Sequence, residues 1–199
     1  MTDDLFADER LQFYFRNRAD IKAWAAIETD AMAATRELLA RAQPLIEERL
    51  LAVDDGALVG RRDSGQWERI LTRHETWPES VGLALEWTRS VDPLGVNRPK
   101  AGVFWWADPP TLVAPRTRLV EVVDKKSLQD LGFKVPLEGV WPVGGRVAAA
   151  PDWWRNPDAW IAGIVDQLAG AWPLIAPQVD AVLAAEPPVA SNPFTLADR

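Results

Sequence analysis

Cysteine is absent from this chain, which removes disulfides, thiolate metal ligands and thiol nucleophiles together. Histidine occurs once, as His74. A zinc site of the usual kind takes two or three imidazole or thiolate ligands, so none is expected. A serine-hydrolase triad would have to recruit the same His74, yet there is no Gly-x-Ser-x-Gly elbow, and Ser64 in Asp63-Ser64-Gly65 reads as a turn. His74 is therefore expected to be a structural or surface residue, and no cofactor or metal is expected. Runs of apolar residues are short, none approaching the roughly 20 that a membrane helix needs. The first residues include Asp3, Asp4, Asp8 and Glu9, whereas a signal peptide is basic and then apolar. A cytoplasmic protein with no membrane partner is the expectation.

Basic runs are missing too. With 22 Lys and Arg against 29 Asp and Glu, the net charge is -7 and the isoelectric point about 4.8. Such a surface on average repels phosphate, so another protein or a second copy, and not nucleic acid, is the expected partner. Arg61, Arg62, Arg69 and Arg73 are interspersed with Asp63 and Glu68, the pattern of an ion-paired face. Internal repeats, low-complexity tracts and a Gly-rich phosphate loop are absent as well.

What is present suits one packed domain. The 199 residues are 48% hydrophobic and 26% charged, enough for a single core. No internal linker is long or polar enough to divide them. The expected organisation is one α+β domain over residues 1–186 and a Pro-rich, loosely ordered tail over 187–199. A short helix over residues 4–16 carries Phe13, Tyr14 and Phe15. Asn17 and Asp20 then have the spacing of a capping box. Trp24, Ile27, Ala31, Ala34, Leu38, Ala42 and Leu45 follow at steps of three and four, the stripe of an amphipathic helix. Pro44 should kink or break it, and Asp54, Asp55 and Gly56 end it.

Strands fill the middle. Val81, Leu83, Leu85 and Trp87 alternate with Gly82, Ala84, Glu86 and Thr88, the period of a sheet. Residues 102–106 are apolar on both faces and pair with them across a long loop. Residues 67–73 and 139–148 add further strands, for an antiparallel sheet of about four packed by the long N-terminal helix and a C-terminal helical segment, with Gly144 and Gly145 marking a bend. Residues 116–131 fit strand or helix; helix is preferred, with Gly132 as its C-terminal cap. Asn156, Pro157 and Asp158 start a last helix, which Pro173 and Pro177 should kink or divide.

Eleven tryptophans accompany a single tyrosine. Indoles fill cores, but they are also favoured anchors and stacking platforms. Trp105 and Trp106 are consecutive, so on a strand they face opposite sides. Unless both sides are covered, one is exposed. Of Trp153 and Trp154, one should staple onto the capped helix and the other serve as an anchor beside Arg155. Trp106, Trp153, Trp154 and Arg155 are thus the candidate partner-binding residues of a non-enzymatic interaction or regulatory domain, acting through a Trp-rich surface and its long N-terminal helix. A carbohydrate-binding module stacking sugars on exposed indoles is another reading.

The remaining alternative is acidic. Asp124-Lys125-Lys126 follows the apolar run Leu119 to Val123, and Asp108 lies upstream. A carboxylate on one strand and a carboxylate-x-lysine on the next is similar to the divalent-metal site of PD-(D/E)xK nucleases. That resemblance implies a magnesium-dependent phosphodiesterase using Asp108, Asp124 and Lys126, with Glu86 in support. The departures are that Pro109 follows the first acid where the family has proline before it, and that Asp20-Ile21-Lys22 satisfies the short motif inside a helix.

Overall fold

Two helices precede the body of the protein. The computed structural model describes residues 8–106, 110–136 and 139–185. Helix α1, Glu9–Arg16, starts where the Asp8 carboxylate accepts from Arg10 N at 2.8 Å. Helix α2, Arg18–Ala40, follows after Asn17. The anticipated Asn17–Asp20 capping box does not form. The Asn17 side-chain amide instead donates to Phe13 O at 2.9 Å, closing α1 rather than opening α2. The break assigned to Pro44 falls three residues earlier, at Arg41. Pro44 lies in the first turn of α3, Ala42–Leu51, where its missing N–H has no helical acceptor to leave unpaired.

The Asp54 carboxylate then accepts from Gly56 N at 3.0 Å and turns the chain into the sheet. Five strands, β1 Ala57–Asp63, β2 Trp67–His74, β3 Val81–Thr88, β4 Lys100–Trp105 and β5 Val143–Arg146, pair in that order, each antiparallel to its neighbour. The fold is α+β as expected, with one strand more than the four anticipated. The addition, β1, is an edge strand with only Ala57 buried, so it lacks the apolar alternation that reveals a strand.

Between β4 and β5 the chain crosses through helices α4, Val113–Val122, and α5, Lys125–Asp130. Residues 116–131 are thus mainly helical, in two pieces. Val123 is extended and the Asp124 carboxylate caps α5, accepting from Lys126 N and Ser127 N at 3.1 Å each. Gly132, at φ +86°, ends it. Gly144 opposes Gly102 in the β4–β5 ladder. Gly102 holds φ +145°, and a Cβ there would come within 2.3 Å of Gly144 Cα, so both glycines serve close backbone approach.

The last helix, α6, Pro157–Ala184, is capped by Asn156, whose side-chain oxygen accepts from Ala159 N at 3.2 Å. Pro173 and Pro177 do not divide it. Each removes a backbone hydrogen bond, but Leu168, Trp172, Ile175, Val179 and Val182 are all buried, and that burial offsets the loss. Its length, and a mean hydropathy of 1.3 over its most apolar window, would suffice for a bilayer, contrary to the expectation from run length. Here it is the central core helix. It packs with α3 over the sheet face formed by Ile70, Val81, Leu83, Leu85, Trp87, Val103, Trp105 and Val143. The opposite face has a smaller cluster of Leu71, Ala84, Phe104 and Trp141.

Candidate functional site

Six of the indoles, Trp77, Trp87, Trp105, Trp141, Trp160 and Trp172, are buried. The Trp105–Trp106 pair resolves as strand alternation requires. Trp105 enters the core and donates from Nε1 to Leu112 O at 3.0 Å, while Trp106 is 52% exposed. At the entry to α6, Trp153 is half-buried and its ring lies 4.8 Å from that of Trp160 in the first helical turn, the staple expected of one member of that pair. Trp154 is 61% exposed, with the Arg155 guanidinium 5.1 Å from its ring centroid. Trp106 leaves the end of β4 that pairs with Val81 and Val143, whereas Trp154 follows the end where Lys100 pairs with Arg146. The two exposed indoles therefore lie at opposite ends of the sheet and share no groove.

A third exposed indole stands elsewhere. Every residue from 22 to 31 is exposed, nearly three turns of α2, so this stretch touches the body on no side. No described residue before Thr35 is buried. Trp24 is 69% and Ile27 63% exposed, and Ala31 and Ala34 continue the same stripe into solvent. Farther out, α1 exposes Phe13 and Tyr14. The stripe has the periodicity of a core-facing helix, and within α2 only its inner end, Leu38, reaches the core, joined by Ala42 at the start of α3.

The most elaborate polar cluster surrounds His74. Its Nε2 lies 2.8 Å from Asp54 Oδ2 and its Nδ1 3.2 Å from Asp180 Oδ1. Both carboxylates also accept from an indole, Asp54 from Trp172 Nε1 at 2.8 Å and Asp180 from Trp77 Nε1 at 2.5 Å. Carboxylates only accept, so an imidazole facing two of them donates from both nitrogens only when charged. Desolvation is the largest single influence on His74 and pulls its pKa down. The hydrogen bonds and charges of Asp54 and Asp180 together outweigh it, and the net shift is upward. Asp54 is held below the ordinary carboxylate range, first by His74 and then by Trp172. The cluster ties the α3–β1 turn, the end of β2 and the C-terminal half of α6 together. With both imidazole nitrogens occupied by carboxylates, it reads as a structural clasp.

The acids of the nuclease-like reading take separate structural roles. Glu86 is buried on β3, paired with Arg69, whose Nε donates to it at 2.8 Å and whose guanidinium stacks 3.5 Å from the Phe104 centroid. Asp124 caps α5, and Lys126 stands in its first turn, not on a strand. Asp108 lies outside the described residues. Among the described residues, no group of three or more His, Asp or Glu converges as metal ligands would.

Neither a family model, a curated protein nor a solved structure matches the chain. The stripe on α2 is legible in the sequence, which assigns this helix both to packing on the sheet and to the contact surface, whereas the His74 clasp is not anticipated. Asp54 lies 20 and Asp180 106 residues from His74, and no local spacing signals a pairing of that kind.

Proposed function

We propose that this chain is a non-enzymatic protein-interaction domain whose main contact is the exposed side of α2, with Trp154 and Arg155 as a separate anchor. One observation carries the reading: a helix with a continuous apolar stripe stands clear of the body, with Trp24 and Ile27 more than half exposed. Isolated helices are marginal in water, and exposed apolar surface of this kind marks contacts. The ionisable groups support it by their occupation, since His74, Glu86 and Asp124 are each engaged in holding the fold. Trp106 offers a further contact at the far end of β4.

Site-specific photocrosslinking tests this reading. A photoreactive residue is placed at position 24, 106 or 154 of the full chain, expressed in the source cells. A discrete adduct with another polypeptide from position 24 is the expected result. Absence of an adduct from all three positions would overturn it.

A further inference from the structure

We infer that α2 receives a basic amphipathic helix, and not a second copy of this chain. The inference rests on reading α2 as the contact surface, and it names the occupant. Trp24, Ile27, Ala31, Ala34 and Leu38 are separated by three, four, three and four residues, the a/d seam of a helix that packs along another helix. The first four are exposed, and the small Ala31 and Ala34 leave room for a bulky facing side chain.

The flanking positions choose the occupant. Those bordering the seam are Ala23, Glu28, Asp30, Thr35 and Glu37, so three are acidic and none is basic. Lys22 and Arg36 stand on the far side of the helix from the seam. Flanking charges set partner choice in helix pairs. A second copy, parallel or antiparallel, brings three more acids to the seam and no base to pair with them. A helix with Lys or Arg beside its own apolar stripe neutralises Glu28, Asp30 and Glu37 while covering Trp24 and Ile27. The seam exposes only about two heptads, which suits a reversible contact.

The test titrates the full chain with three labelled synthetic peptides of equal length, read by fluorescence anisotropy. One has Leu and Ile at the seam and Lys at every flank. The second has Glu at the flanks. The third has the composition of the first in scrambled order. The Lys-flanked peptide should bind about tenfold or more tighter than the Glu-flanked one, from three exposed charge pairs replacing three repulsions, and should weaken as salt is added. Trp24→Ala with Ile27→Ala should abolish binding. Glu28→Lys with Asp30→Lys and Glu37→Lys should invert the preference between the two flanks. All five substituted positions are exposed, and circular dichroism confirms the fold of each variant.

Equal binding of the Lys- and Glu-flanked peptides, or of the scrambled one, would overturn the inference. So would sedimentation of the chain as a dimer that Trp24→Ala with Ile27→Ala dissociates. In that last case α2 remains the contact surface and only the occupant is wrong. Failure of all three peptides to bind overturns the inference; an adduct from position 24 would then still uphold the broader reading, and absence of an adduct from positions 24, 106 and 154 alike would remove both.

Discussion

Replacing His74 by Phe keeps a ring between Trp77 and Trp172, whose centroids lie 4.9 and 5.3 Å from that of the imidazole, and removes both donors. A hydrogen bond to a charged group contributes about 1.5–3 kcal/mol. The side chains here are 21% exposed for His74, 26% for Asp54 and 44% for Asp180, so screening reduces each bond to roughly 1–1.5 kcal/mol. The expected loss is about 2–3 kcal/mol while His74 is charged. The pH dependence follows from the two shifts. His74 is raised above its ordinary 6.5, so its contribution is full below that pH and is lost as pH rises through the folded value. Asp54 is lowered from 3.8, so its contribution is full above that pH and is lost as pH falls through its folded value. The clasp is therefore strongest between these two ordinary values. On the alkaline side one proton sets the limit, and stability cannot fall faster than about 1.4 kcal/mol per pH unit from this group. Urea unfolding of the wild type and His74→Phe, followed by Trp fluorescence at about pH 5.5 and about pH 9, measures the difference directly. It should be larger at the lower pH. A difference that is the same at both, or larger at the higher pH, would refute the charged clasp.

Other substitutions probe the frame. Trp172→Phe removes the donor to Asp54 and should cost about 1–3 kcal/mol in urea unfolding, while raising the carboxyl pKa of Asp54 as followed by NMR. Glu86→Gln leaves Arg69 without its buried counter-charge and should cost about 3–5 kcal/mol; Glu86→Leu with Arg69→Met should cost less than the sum of the two single changes, as a double-mutant cycle would measure. Gly102→Ala sets a Cβ against the β5 backbone at a positive φ, and a thermal midpoint lowered by several degrees is expected, from a cost of at least about 2 kcal/mol.

The parts of the fold legible in the sequence were those with local causes. Asn156 with Pro157 announces α6 because cap and first-turn chemistry are adjacent in the chain, and the alternation from Val81 to Thr88 announces β3. At residues 116–131 periodicity alone was ambiguous. Asp124 decided it, since a capping carboxylate inside an apolar stretch starts a second helix and places its charge at a helix end instead of a metal site. β1 was hidden because Arg61, Arg62 and Asp63 at an open edge need no apolar face. The α2 stripe posed a different difficulty. Its spacing is that of a buried helix face, and no sequence rule distinguishes a seam buried within its own chain from one awaiting another.

The free length of α2 has an electrostatic consequence. From Thr35, the first buried among the described residues, to Trp24 the helix rises about 16 Å, roughly twice the screening length of physiological saline, about 8 Å. A ligand gripping the outer turns scarcely feels the net charge of -7 carried by the whole molecule. It responds to Glu28 and Asp30 beside it, so affinity at the tip can drift through a few local substitutions while the sheet and α6 evolve under their own constraints.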